Sequence, residues 1–351
     1  MPSPVSRISH LRTRGPDVAG QESHAWMTSV SDDLSQSSMH PLIIRDDTTT
    51  TAGSIGRLGP RRLACLWHPK HQHGADKEGP YRGVPYDGAN AEYAELYHET
   101  HPAPKRAWDP EGVPLRWKKH YFERIKDVID QYQPDLLYTD GPIFFEEWGL
   151  GVAAYFYNRV AAKYGGRIEA VYANKGKTDC VQGTCLLDLE RGVVDRIWDE
   201  PWQTDTCIGH WHYDSEAVYK SPKIVIDMLV DIVSRNGNLL LNFPLPSNGM
   251  LDAEELKILG AITRWMAVNG EAIYGTRPWK TFGEGPTQIL EGGFTDDKRA
   301  AFTPEDVRFT TKADTLYAFL LAWPEDGGAR IKSLGTGSGI RIGGVEMLGA
   351  D

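Results

Sequence analysis

The amino-acid sequence predicts an α/β fold in which helices alternate with short apolar strands. Between residues 66 and 279, segments with apolar residues at helical spacing are followed by short apolar runs, and the links between them are brief. Such alternation gives parallel strands, because each helix returns the chain to the same edge of the sheet. At this length a (β/α) barrel is the leading architecture, and a doubly wound open sheet is the alternative.

The first helix–strand pair is predicted in PLRWKKHYFERIKDVIDQY and DLLYTD. Tyr121, Ile125 and Val128 recur at helical spacing, so they form one apolar face. Pro134 ends the helix, because a proline disfavours helical backbone in the residue before it. The apolar run that begins at Leu136 then reads as a buried strand.

The remaining elements of this region follow the same logic. Asp252 with Glu255 three residues later is the pattern of a capping box at a helix start. After Pro278, DVRFTTKADTLYAFLLAWP and ARIKSLGT are predicted to be short strands of a small β domain, residues 280–351. Further predicted helices are GLGVAAYFYNRVAAKYG, KIVIDMLVDIVSRNG and DAEELKILGAITRWMAVNG, and further predicted strands are RIEAVYAN and NLLLNFPL.

Residues 1–65 differ in character from the rest of the chain. They are rich in Ser, Thr, Asp and Gly and lack helical or strand periodicity. We expect this segment to be disordered, or to come from a misread or truncated gene start. It contains no secretory signal, so the sequence leaves the compartment open.

Composition argues against some classes of binding partner and indicates the state of the cysteines. The formal net charge is −10 and no Lys/Arg cluster occurs, which argues against nucleic acid or an anionic membrane as a partner. The four cysteines form no Cys-x-x-Cys pair, so we expect reduced structural cysteines. Eleven tryptophans suit a sugar-binding cleft, although they equally suit a packed core. No nucleotide-binding glycine motif follows a predicted strand.

Asp140 is the first candidate for a catalytic residue. It directly follows the predicted strand DLLYTD, and catalytic groups of a barrel lie at the carboxyl ends of its strands. The alternative is an ordinary Asp-Gly turn. If the reaction is glycoside hydrolysis with retention of configuration, a second carboxylate must lie about 5 Å from the first. Spacing does not choose among the downstream acids, which are Glu146, Glu147, Asp179, Asp188, Glu190 and Glu200.

The segment WDEPWQTDTCIGHWHYD is predicted to be an aromatic loop that suits a sugar subsite. Its histidines, His210 and His212, lack further ligands at metal-site spacing, and His71 and His73 are read as loop residues. We therefore expect no metal.

Several of these stretches resemble family 29 of the glycoside hydrolases, the α-L-fucosidases. PDLLYTDG resembles the nucleophile motif, PWQTDTCIGHWHY an aromatic loop, and LVDIVSRNGNLLLNFPLPSNGML and GEAIYGTRPW the late barrel. The resemblance implies a fucosylated oligosaccharide or glycoconjugate as substrate, retention of configuration, and neither metal nor cofactor. It makes Asp140 the nucleophile and Glu190 the general acid/base. The substrate-binding residues that it implies are Tyr138, Lys175, Trp202 and Trp211.

The sequence departs from this family in its first part. The family's His-Trp-Gly segment and His-His pair do not occur, and the nucleophile motif comes early in the chain. We therefore expect a (β/α) barrel lacking its early strands (66–279), then a short, truncated β-sandwich-like domain. An impaired fragment or a fucose-binding remnant of the family is the alternative function. A different barrel glycosidase, using another pair of acids, is a third.

Overall fold

The computed structural model describes residues 5–9, 115–145, 147–176, 179 and 183–350, and all structural statements concern this part of the chain. These residues divide into two compact units between Leu187 and Asp188. The strand β1 (Val5–Ser9) belongs to the second unit. The division falls inside the region 66–279 that the sequence assigns to one barrel domain.

The first unit contains parallel strands joined by helices. Its elements are α1 (Leu115–Tyr132), β2 (Leu136–Thr139), α2 (Glu147–Lys163), β3 (Val171–Asn174) and β4 (Leu186–Asp188), of which β4 ends at the division. Strands β2, β3 and β4 pair in parallel in chain order. The core between helices and strands is apolar, because one face of each helix is buried against the sheet. Its members include Tyr121, Ile129, Leu137, Val152, Phe156 and Tyr172.

The second unit begins with another parallel pair. Strands β5 (Trp202–Cys207) and β6 (Gly237–Asn242) pair along six residues and are joined by α3 (Pro222–Ser234). Helix α4 (Ala253–Asn269) follows. The predicted capping box is present there, since Asp252 accepts from the Glu255 amide and Glu255 accepts from the Asp252 amide.

An antiparallel sheet completes the second unit. It contains β7 (Arg277–Glu284), β8 (Val307–Lys312), β9 (Thr315–Leu320) and β10 (Gly344–Met347), in the order β10-β1-β9-β8-β7. Strand β1 pairs antiparallel with both β10 and β9. Short 3₁₀ helices lie at Gly270–Ala272, Asp296–Lys298, Lys332–Leu334 and Thr336–Ser338.

The α/β prediction is confirmed by the parallel strands and the helices between them. Three local predictions need correction. Val5–Ser9 forms a strand, because its pairing partners at the far end of the chain supply hydrogen bonds that no local pattern reveals. ARIKSLGT contains the 3₁₀ helix Lys332–Leu334 instead of a strand. The predicted aromatic loop contains β5, whose six residues are all buried.

The cysteines also depart from expectation in one case. Cys207 is free and buried, as predicted, but Cys185 is disulfide-bonded. Because Cys207 is free, the partner of Cys185 lies outside the described residues. Among the described helices, none is both long and apolar enough to cross a membrane.

A buried ion cluster links helix α3 to the antiparallel sheet inside the second unit. The Asp231 carboxylate is fully buried and lies 2.6 Å from Arg308 Nε, 3.1 Å from Arg235 Nη2 and 3.2 Å from Arg299 Nη1. Burial by itself would raise the pKa of Asp231, but the three guanidinium groups outweigh it and lower the pKa to about 2. The carboxylate is therefore ionised in the folded protein at neutral pH.

Candidate active site

Asp140 lies where the sequence predicts it, directly after β2. Gly141 follows with a φ of 137°, a backbone conformation that side-chain-bearing residues rarely adopt, and this turns the chain away from the strand. The Asp140 side chain is 30 % exposed. A carboxylate at the carboxyl end of a parallel strand is thus accessible from one side.

Lys175 follows the neighbouring strand β3 and contacts Asp140. In the parallel register Thr139 pairs with Asn174, so the next residue of each strand lies at the same edge. Lys175 Nζ is 2.6 Å from Asp140 Oδ1, and the lysine side chain is 14 % exposed. The Lys175 amide also donates to the Gly141 carbonyl oxygen (2.9 Å). The structure therefore brings these two predicted site residues together.

The loops around this pair are tied to each other. Asp179 Oδ2 accepts a hydrogen bond from the Ile143 amide (2.6 Å), which joins the loop after β3 to the loop after β2. Below them, the Thr139 and Tyr172 hydroxyls are hydrogen-bonded (2.9 Å). Tyr138 is 1 % exposed and belongs to the interior of the first unit. The Asp140–Lys175 pair therefore lies on two loops that are hydrogen-bonded to each other.

Glu190 follows β4 and is partly buried. The residues on either side of it pair with β5, since the Leu189 amide donates to the Gln203 carbonyl oxygen and the Arg191 amide to the Asp205 carbonyl oxygen (2.8 Å each). Glu190 therefore lies beside β5, just beyond the carboxyl end of β4.

The other candidate acids have different surroundings. Asp188 is buried, and its carboxylate accepts from Gln203 Nε2 (2.7 Å) and the Asp205 amide (3.2 Å), which is a structural arrangement. Glu147 and Glu200 are exposed, and Asp179 holds the loop described above. Glu146 lies outside the described residues.

The two predicted tryptophans differ in position. Trp202 is the first residue of β5, is 0 % exposed, and donates from Nε1 to the Arg235 carbonyl oxygen (3.0 Å). This is the position of a core residue, so we leave Trp202 out of the proposed site. Trp211 lies in the loop after β5 and is partly buried, and its carbonyl oxygen accepts from Asn242 Nδ2 (3.3 Å).

The predicted residues are distributed between the two units. Asp140, Tyr138 and Lys175 belong to the first unit, and Glu190, Trp202 and Trp211 to the second. Among the described residues, no three His, Cys, Asp or Glu side chains are grouped to hold a metal ion. His71 and His73 lie outside the part that the structure describes.

Sequence reasoning missed one charged cluster beside Glu190. Arg191, Lys220 and Asp296 meet in the second unit, although Asp296 is far from Arg191 in the chain. A local pattern contains no sign of such a contact.

Comparison with known proteins supplies the family. The family model described as alpha-L-fucosidase matches residues 71–271, more than half of the chain and a range that includes Asp140, Lys175 and Glu190. The chain belongs to the α-L-fucosidase family. The resemblance to this family is thereby confirmed.

Individual relatives are distant and longer than this chain. Tissue alpha-L-fucosidase of Mus musculus is 27 % identical over 257 residues, which is 67 % of this chain and 50 % of the relative. The Homo sapiens protein of the same name is 26 % identical over 241 residues, 64 % of this chain and 45 % of the relative. The chain thus spans about half the length of the curated relatives it matches. A solved structure of Thermotoga maritima alpha-fucosidase in complex with fucose is also similar, with 22 % identity, a TM-score of 0.46, and coverage of 60 % of this chain and 44 % of that one.

Proposed function

We propose that this protein hydrolyses terminal α-L-fucosides of oligosaccharides or glycoconjugates with retention of configuration. The observation that carries the proposal is the Asp140–Lys175 pair, in which a part-exposed carboxylate stands at the carboxyl end of a parallel strand with a lysine 2.6 Å away. Family membership over a range that includes this pair supports the substrate class. We also infer that the parallel strands are part of a (β/α) barrel, with the antiparallel sheet as one layer of a sandwich.

In the proposed reaction Asp140 is the nucleophile. One carboxylate oxygen attacks the anomeric carbon and forms a covalent glycosyl ester while the bond to the leaving-group oxygen breaks. Lys175 holds the carboxylate by this ion pair, so the attacking oxygen needs little reorientation.

Glu190 is proposed as the general acid/base. Its carboxylic acid donates a proton to the departing oxygen, and its carboxylate then removes a proton from the water that releases the sugar from Asp140. Trp211, on the loop after β5, is proposed as an aromatic wall for the sugar, and Tyr138 as a support beneath Asp140.

Covalent trapping tests the nucleophile. We expect 2-deoxy-2-fluoro-α-L-fucosyl fluoride to add one fluorofucosyl group, which peptide mass spectrometry places on Asp140. Asp140→Asn should abolish labelling. Labelling of another carboxylate would refute the assignment and favour a different pair of acids.

Chemical rescue tests the two roles separately. With azide, Asp140→Gly should release β-fucosyl azide by direct displacement at the anomeric carbon. Glu190→Ala should instead release α-fucosyl azide, because azide replaces water in opening the covalent intermediate. Rescue of Glu200→Ala but not of Glu190→Ala would move the acid/base role to Glu200.

A second candidate function is the binding of fucose without hydrolysis, since family membership supports the ligand class independently of turnover. Calorimetric titration with L-fucose separates the two candidates. Binding that is unchanged in Asp140→Asn, in a protein that does not hydrolyse an aryl fucoside, would support the second candidate.

A further inference from the structure

The loop that carries Glu190 is held by a second segment, residues 291–298, through paired backbone hydrogen bonds. The Phe294 amide donates to the Glu190 carbonyl oxygen (2.9 Å) and the Thr295 amide to the Arg191 carbonyl oxygen (2.9 Å). A Cβ atom on Gly192 would come within 2.2 Å of the Gly292 carbonyl oxygen, so the two loops are in backbone contact. The position of Glu190 therefore depends on a segment a hundred residues away.

One buried carboxylate anchors this contact. Asp296 is 1 % exposed in its side chain and receives Arg191 Nε at 3.0 Å, Thr206 Oγ1 at 2.6 Å and Lys220 Nζ at 3.3 Å. Lys220 also donates to the Cys207 carbonyl oxygen (3.1 Å). The carboxylate thus joins the residue after Glu190, the end of β5 and the loop beyond it.

Arg191 itself is held in an uncommon backbone conformation. Its φ of 48° is left-handed, a conformation that residues with a side chain adopt uncommonly because it is strained. The backbone bond of Arg191 to Asp205 and the ion pair with Asp296 constrain this residue. Because Arg191 directly follows Glu190, its backbone conformation sets the direction in which the chain continues after Glu190.

We propose that Asp296, acting through Arg191, is a positioning residue for the general acid/base Glu190. The inference rests on the proposed function. Without the buried charge, Arg191 keeps only the exposed Asp297 as an ion-pair partner, so its left-handed backbone is held less firmly and Glu190 moves away from the leaving-group oxygen. A displacement of about 1 Å in a catalytic group can cost on the order of 100-fold in rate.

The test compares Asp296→Asn with Asp297→Asn on two aryl α-L-fucosides. Asp297 is a matched control, since it also contacts Arg191 and Lys220, but its side chain is 63 % exposed. For a phenyl fucoside, whose leaving group needs protonation, we expect Asp296→Asn to lower kcat/KM by about 100-fold. For a 2,4-dinitrophenyl fucoside, which leaves unprotonated, the loss should stay below about fivefold. Asp297→Asn should lose less than about fivefold on both.

A merely structural role predicts a different outcome. Loss of folded protein would lower turnover of both substrates equally, and that result, or no loss at all, would overturn the proposal. Should Asp296→Asn fail to fold, Thr206→Val removes one hydrogen bond to the same carboxylate and should show the same leaving-group dependence at smaller size.

Glu190→Gln is measured in parallel, so that an error in the acid/base assignment of Glu190 and an error in the positioning role of Asp296 give different results. If Glu190→Gln shows no dependence on the leaving group, the acid/base assignment is wrong. If it does and Asp296→Asn does not, only the positioning role is wrong. If the wild type hydrolyses neither fucoside, the proposed function fails, and the positioning role that rests on it fails with it.

Discussion

Replacing Asp231 by asparagine tests how much the buried ion cluster stabilises the second unit. Asn keeps the size of the side chain but removes the negative charge that faces Arg235, Arg299 and Arg308. All three guanidinium groups are nearly buried, so water cannot take the place of the carboxylate. Helix α3 and the antiparallel sheet would then be joined by like charges.

Two estimates of the loss in unfolding free energy agree in scale. A pKa lowered from 3.8 to about 2 corresponds to about 2 kcal/mol of preference for the ionised carboxylate in the folded protein. Removing one partner from a buried ion pair costs about 3–5 kcal/mol, because the remaining charge stays buried. We therefore expect Asp231→Asn to lower the free energy of unfolding by about 2–5 kcal/mol.

Urea unfolding followed by tryptophan fluorescence measures this change, since Trp202 and Trp265 are buried in the same unit. Asp195→Asn is the control. It is the same substitution in the same unit, at a side chain that is 50 % exposed beside Arg196, and it should change stability by less than about 0.5 kcal/mol. A loss below about 1 kcal/mol in Asp231→Asn would refute the reasoning.

The low pKa of Asp231 predicts that the free energy of unfolding depends on pH in the acid range. Its pKa is lower in the folded protein, so its stabilising contribution is complete above the ordinary value of 3.8 and is lost as the pH falls through about 2. The stability difference between wild type and Asp231→Asn should be constant from pH 7 to 5 and should shrink between pH 4 and 2. A difference that grew with acidity would contradict this sign.

Three further predictions concern packing and capping in the second unit. Asp252→Ala should lower the urea concentration at the unfolding midpoint, because its carboxylate caps two backbone amides of α4. Gly237→Ala should lower the free energy of unfolding by at least about 2 kcal/mol, since its Cβ would come within 2.6 Å of the Trp202 ring. Gly260→Ala is the control: it lies inside α4 beside a flexible arginine and should raise the free energy of unfolding by about 0.5 kcal/mol. Trp202→Phe should lower the melting temperature and leave KM for a fucoside unchanged, and a rise in KM would return Trp202 to the sugar site.

Features specified by neighbouring residues were predictable from the sequence. Asp140 follows a short buried strand, and the α4 cap lies within three residues, so both depend on local chemistry. The burial of Trp202 was not predictable in this way, because a tryptophan in an aromatic segment looks the same in the sequence whether it faces a ligand or the core. The disulfide at Cys185 had no local signal either.

The sequence by itself determined the alternation of helices and strands, the place of Asp140 after β2, and the family to which the chain belongs. Only the tertiary structure decided that Lys175 pairs with Asp140, that Val5–Ser9 is a strand, and that Asp296 anchors Arg191. The reason is physical. Periodicity and capping act over a few residues, whereas ion pairs and strand pairing join segments whose proximity exists only after the chain has folded.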